Sequence, residues 1–364
     1  MKTELELNEM ILVKTNNIRE EHPELLQYLN EMPLTIPYEE NPTLTVKTLS
    51  SYYNSLVTLI QENEDNKIKK KQKENDLNLP ITEIIKMEQD NSYQNLLTEV
   101  NNITISYNEA GEGSIPILFL HGYPFDKSMW KGQLDSLKTS NRVIAIDIRG
   151  FGKTIDEKSI LSIDLFGEDL IALMDKLVIE KAIICGLSMG GFIALNLMKK
   201  NPNRFEALIL CDTQCIADTV EIKDNRYTTI EQIKIDGTDK FNEKFINSVF
   251  HPESLTNKIE LVETLRSVVC ANSKEIITAG LIALAERSET CSILDTIRIP
   301  TLIICGRQDE VTPLEQSQFM HEHIKGSILK IIEHAGHVSN LEKPDEFNKY
   351  LLDFLNSLSP NSNF

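Results

Sequence analysis

A chain of 364 residues is long enough for a large core plus one small further domain. Its formal net charge of -18 excludes nucleic acid and anionic membrane as favoured partners, because both would repel it. Residues 1–30 carry charges throughout and no apolar stretch long enough for a signal peptide or a membrane span, so the expectation is a cytoplasmic protein with no membrane partner.

The first elements are helical. Residues 5–19 and a short stretch after Pro23 read as helices, 32–42 as an extended connection, and Leu49, Tyr52, Tyr53, Leu56, Leu59 and Ile60 recur at the spacing of an amphipathic helix. Residues 62–76 are almost wholly polar, with 67–73 strongly basic, and read as a solvated connector. The division is therefore a helical N-terminal extension at 1–62, a linker at 63–92 and a main domain at 93–358. No catalytic motif precedes residue 93. The extension reads as a small appendage with its own modest core, and self-association through its apolar face is the alternative role.

The main domain opens with a hairpin, 93–100 and 103–107, around Asn101-Asn102, a pair that tolerates the positive backbone angles of a tight turn. A strand at 115–120 runs into His121-Gly122-Tyr123-Pro124. Strand 141–148, helix 163–177 and strand 182–185 follow, and this alternation implies an α/β fold with a mostly parallel sheet covered by helices on both faces. Gly152-Lys153-Thr154 is no P-loop, because the required earlier glycine position holds Asp147.

Cys185-Gly186-Leu187-Ser188-Met189-Gly190-Gly191 places a serine where a buried strand turns into a helix. Small residues two before and two after let strand and helix pass closely, and the helix aims free amides and its positive end at the serine. Between strand 207–211 and strand 301–305 lie far more residues than a crossover needs, so about 214–294 reads as a helical cap, with helices at 230–250, 254–269 and 274–285. Strand 301–305 leads to Gly306-Arg307-Gln308-Asp309 and then Pro313; strand 328–332 leads to His334-Ala335-Gly336-His337, with Glu342 and Pro344 beyond. His321 and His323, two apart on a predicted helix, point to different faces and make no metal pair. All six cysteines follow residue 184, and Cys185, Cys211 and Cys305 fall on predicted buried strands rather than in disulfide or metal spacings, which points to a reducing compartment.

With these motifs in this order the chain resembles the α/β-hydrolase superfamily over about 93–358. Gly186 to Gly191 together with Leu210-Cys211-Asp212-Thr213 is similar to its carboxylesterase and enol-lactonase branch. The resemblance implies Ser188 as nucleophile, Asp309 as acid and His337 as base, with the backbone N–H groups of Tyr123 and Met189 forming the oxyanion hole. His121 reads as a strand-end packing residue. Glu310 and Asp212 compete for the role of acid; His334 competes with His337, which Gly336, Glu342 and Pro344 align with the motif.

The chemistry asks for these residue types. A serine hydroxyl is a weak nucleophile at neutral pH, an imidazole titrates near working pH and can take its proton, and a buried carboxylate fixes the imidazole tautomer. The expected activity is cleavage of a small-molecule carboxylic ester or lactone through an acyl-enzyme, with no cofactor and no metal. A cofactor-free perhydrolase, a carbon–carbon bond hydrolase and a non-catalytic binding protein are the alternatives. Trp130 and Phe125 are candidates for the pocket wall as well as for the core. Arg226, Lys234 and Arg266 are the cap cations that a carboxylated substrate would want, each with a plain surface role as the other reading.

Overall fold

The computed structural model describes residues 94–358 except 155 and 157–159, and before residue 94 only Ile11, Thr15 and Ile18. Ile11, Thr15 and Ile18 are helical, within the helix expected over 5–19; the rest of the extension and the linker lies outside the described residues. The chain divides into units at Met1–Asn91 and Ser92–Phe364.

Asn101 and Asn102, at φ 48° and 62°, turn the chain between β1 (Gln94–Val100) and β2 (Ile103–Ala110), which pair antiparallel. The remaining strands are β3 (Ile117–Leu120), β4 (Val143–Ile146), β5 (Ala182–Leu187), β6 (Phe205–Cys211), β7 (Thr301–Gly306) and β8 (Ile328–Ile332). They form one sheet in the order β1-β2-β4-β3-β5-β6-β7-β8, and every pairing from β4 to β8 is parallel.

The inner strands are apolar on both faces because both are covered. Leu118, Leu120, Ile144, Ile146 and Ile184 enter one core with helices α2 (Ile163–Lys176) and α3 (Met189–Lys200). Their neighbours Ile117, Phe119, Val143, Ala145 and Ile183 enter the other core with α1 (Lys131–Leu137) and α11 (Pro344–Ser357). At about 25 cal/mol per Å² this two-sided burial is the main stabilising contribution. Trp130 and Phe125 belong to the second core: Trp130 packs 5.0 Å from Phe119 and 6.3 Å from Phe347, ring centre to ring centre.

Between β6 and β7 come α4 (Val220–Asp236), α5 (Asp239–Val249), α6 (Pro252–Asn257), α7 (Ile259–Cys270) and α8 (Lys274–Ala285). The single helix expected over 230–250 is two. Gly237, at φ 85°, ends α4 with its N–H on Ile233 O, and the chain restarts at Asp239. The helix expected over 254–269 is likewise α6 and α7, broken at Lys258.

Cys215 and Cys291 form a disulfide, contrary to the expectation from cysteine spacing. They are 76 residues apart, so no local pattern marks them, yet they lie in the segments leaving β6 and approaching β7, which are neighbours in the sheet. With this bond, the cysteines cease to argue for a reducing compartment. Helices α9 (Leu314–His323) and α10 (Ser339–Glu342) complete the order. Among the described residues no single helix is long and apolar enough to cross a membrane.

Candidate active site

In a parallel sheet the loops at the carboxyl ends of adjacent strands gather at one edge. Ser188 follows β5, Asp212 follows β6, Asp309 follows β7 and His337 follows β8, and these four strands are consecutive in the sheet. The sequence supplies each with a strand too short and too apolar to carry the polar residue within it.

Ser188 has φ 53° and ψ -114°, a conformation that costs about 1 to 3 kcal/mol and persists only where its surroundings hold it. Its N–H donates to Cys211 O at 3.0 Å; its carbonyl accepts from Gly191 N–H at 2.9 Å and from the Thr213 hydroxyl at 2.8 Å. A Cβ on Gly186 would lie 2.2 Å from Gly190 O, and one on Gly190 would lie 2.2 Å from Leu120 O, so only glycine permits this strand–helix approach. Thr213, named in the sequence only as part of Leu210-Cys211-Asp212-Thr213, supports the serine from the neighbouring strand end, directly after Asp212.

His337 is buried, and its Nδ1–H donates to Asp309 Oδ2 at 2.8 Å. Asp309 Oδ2 also accepts from the Thr312 hydroxyl at 2.8 Å, while Oδ1 accepts from the N–H groups of Val311 at 2.8 Å and Thr312 at 2.9 Å. A carboxylate holding four donors is committed to its charged form. Burial acts to raise its pKa, but the charge and hydrogen bond of His337 and the bonds from Thr312 prevail, and Asp309 lies below the ordinary carboxylate range. Burial likewise acts to lower His337, and the charge and hydrogen bond of Asp309 outweigh it, so the imidazole is raised. The ring proton on Nδ1 leaves Nε2 as the basic nitrogen. Among the described residues the Ser188 hydroxyl makes no hydrogen bond, with the His337 ring or with any other group.

The competing residues are placed elsewhere. Glu310 is exposed. Asp212 is buried but its carboxyl meets Gly306 and Ser339, not the imidazole. His334 is exposed, 3.8 Å from Glu253. His121 is fully buried between Gly122 O, 2.9 Å from Nδ1, and Ile148 N–H, 3.0 Å from Nε2; burial lowers its pKa, so it is a neutral brace for the loop it opens. Glu342 accepts from Gly336 N–H at 2.6 Å and His251 N–H at 2.9 Å, and His337 N–H donates to Val249 O at 2.8 Å. The histidine loop is thereby tied to the end of α5.

Tyr123 and Met189 are buried, and among the described residues neither backbone N–H has an acceptor. Met189 is the first residue of α3, where helices present unpaired donors. Buried N–H groups are seldom left orphaned, so two at this edge suit an acceptor brought by a substrate. The Tyr123 hydroxyl donates to Ile277 O at 2.8 Å on α8, and Asn272 donates to Pro124 O at 2.8 Å, which ties the loop after β3 to the inserted segment. Burial raises the Tyr123 phenol well above its usual range, opposed by the charge of Arg226. Arg226 is bonded to Asp218 at 2.6 Å, and Arg287 reaches the same carboxylate at 2.7 Å. Lys234 and Arg266 pair with Glu231 and Glu263 on their own helices.

A family model for the alpha/beta hydrolase fold matches residues 115–344. The chain is 32% identical over 248 residues to 3-oxoadipate enol-lactonase 2 of Acinetobacter baylyi, covering 68% of this chain and 91% of that protein. Among solved structures it superposes on a thermophilic esterase from Thermogutta terrifontis with a TM-score of 0.69 and 30% identity, over 73% of this chain and 99% of the other. The enol-lactonase from Burkholderia xenovorans LB400 superposes with a TM-score of 0.67 and 26% identity, over 72% of this chain and all (100%) of the other.

Proposed function

Because the chain belongs to the α/β-hydrolase family, in its enol-lactonase and esterase branch, we propose that it is a serine hydrolase opening a carboxylic ester or lactone of a small molecule through an acyl-enzyme on Ser188. The observation that carries this reading is the buried 2.8 Å bond from His337 to Asp309, on loops sharing one sheet edge with the strained Ser188.

The steps follow from the atoms. His337 Nε2 takes the Ser188 hydroxyl proton as Oγ attacks the carbonyl carbon. In free enzymes this hydrogen bond is often long or misaligned and tightens only once substrate is bound. The oxyanion lies against the N–H groups of Tyr123 and Met189, and one such donor contributes about 3 to 4 kcal/mol. Asp309 stays ionised and stabilises the imidazolium. The imidazolium returns its proton to the departing alkoxide, which in a lactone remains tethered to the acyl group. Water activated by His337 then cleaves the acyl-enzyme. Ser188 is 8% exposed, so little bulk water reaches the acyl group.

Labelling by a fluorophosphonate probe tests the reading. Wild type should be labelled stoichiometrically at Ser188, and Ser188→Ala should lose both labelling and about a millionfold in kcat. Folded wild type that fails to react, or a labelled Ser188→Ala, would remove the nucleophile from the reading.

A further inference from the structure

Asp212 takes no part in the proton transfer above, yet it is among the most constrained side chains at the site. It is fully buried, at φ 43°. Its Oδ1 accepts from Gly306 N–H at 2.8 Å; its Oδ2 shares a 2.6 Å bond with the Ser339 hydroxyl and lies 3.4 Å from Ser339 N. Gly306 opens the loop that presents Asp309, and Ser339 stands two residues after His337. One carboxyl therefore joins the acid loop to the base loop across sequence separations of 94 and 127 residues.

We propose that Asp212 is a positioning residue for the reaction, a buried clamp that sets the distance between the Asp309 and His337 loops and holds their hydrogen bond in register. This rests on the reading of Ser188, Asp309 and His337 as the proton relay.

The charge state of the clamp follows from its surroundings. An oxygen of Asp212, an oxygen of Asp309 and the sulfur of Cys305 lie within 4.8 Å of one another. Two carboxylates so close in a buried site do not both ionise readily. Burial, then the charge of Asp309, pushes Asp212 up to about 8, while the charge of His337 and the bonds from Ser339 and Gly306 oppose this. Cys305 and Cys211, the other titratable groups facing it, are held as thiols by burial, with Cys185 adding to it at Cys211. At neutral pH the single negative charge stays on Asp309, against the imidazole. A protonated Asp212 keeps both arms: Oδ1 still accepts from Gly306, and the 2.6 Å bond reverses so that Oδ2–H donates to Ser339.

Asparagine comes nearest to the neutral acid: its carbonyl accepts from Gly306 and its NH₂ donates to the Ser339 hydroxyl, and only the long 3.4 Å bond from Ser339 N–H is given up. Glycine removes the clamp without strain, since it tolerates the positive φ. With a phenyl ester as substrate and the full chain, Asp212→Gly should lower kcat about 10- to 100-fold with KM changed less than about twofold, the scale of a small misplacement of reacting groups. Asp212→Asn should stay within about threefold of wild type at pH 7, and should lack the change of slope in kcat near pH 8 that ionising Asp212 gives wild type. Wild-type kcat in Asp212→Gly, or an Asp212→Asn as slow as Asp212→Gly at pH 7, would overturn the proposal. Should Asp212→Gly not fold, Ser339→Ala severs one arm; a drop in kcat at constant KM supports the clamp and an unchanged kcat refutes it. A wild type that resists fluorophosphonate ends both this inference and the reading it rests on, whereas a labelled wild type matched in rate by Asp212→Gly ends this inference alone.

Discussion

At the scale of single residues, the proposed mechanism makes the pair His337–Asp309 set the working pH. The base must be neutral to accept the serine proton, and the charge of Asp309 holds the imidazolium beyond the 6.5 of an unperturbed ring. The acid limb of kcat/KM should therefore have its midpoint above 6.5. Asp309→Asn should move that midpoint down and cut kcat about ten-thousandfold, because an amide no longer enforces the Nδ1–H tautomer. A midpoint at or below 6.5 in wild type would contradict the pairing. Stability carries the opposite sign: a raised folded pKa contributes fully below the unfolded value and is lost as pH rises through the folded one. The enzyme thus gains activity over the window in which this pair contributes less to stability. Ser188, Asp309 and His337 could all be picked out from their motifs, because each follows a short apolar strand and carries glycines at fixed offsets. Asp212 and Thr312 had no such signal for their roles. The partners of Asp212 are set by which strands become neighbours, and that of Thr312 by how the loop after Asp309 folds back.

At the scale of elements, the hairpin, the alternation of strands and helices and the two-sided core follow from patterns local in sequence, and the structure has them. The inserted helices were legible as helices but not in their breaks. Gly237, at φ 85°, ends α4, and Lys258 stands between α6 and α7. The Cys215–Cys291 bond was illegible for the same reason as Asp212, since it records the adjacency of β6 and β7. That bond closes the insertion at its stem, with Thr290 N–H donating to Cys215 O at 2.8 Å beside it. Closing a loop of 76 residues contributes about 4 to 5 kcal/mol by restricting the unfolded chain. Cys215→Ser combined with Cys291→Ser should lower the free energy of unfolding in urea by about that amount. A thiol reductant should bring wild type to the same midpoint and leave the double variant unchanged. Equal midpoints for wild type and variant without reductant would mean that the bond contributes no stability.

At the scale of the whole molecule, net charge opposes association between copies. A chain of formal charge -18 repels its own copies, and the repulsion between exposed charges is screened beyond a Debye length of about 8 Å at physiological salt. The apolar positions Leu49, Tyr52, Tyr53, Leu56, Leu59 and Ile60 would gain by burial at about 25 cal/mol per Å². We propose that they associate between copies, with the extension as the module of self-association. Salt should then favour the assembly, because it weakens the repulsion while leaving apolar burial intact or stronger. Sedimentation of the full chain should show a larger species whose fraction rises from about 0.02 to 0.3 M sodium chloride. Leu56→Glu and Ile60→Glu together should return it to a single-chain mass with fluorophosphonate labelling retained, since the serine site is built after residue 93. A full chain that stays monomeric across this salt range would assign the apolar face to the interior of the extension itself.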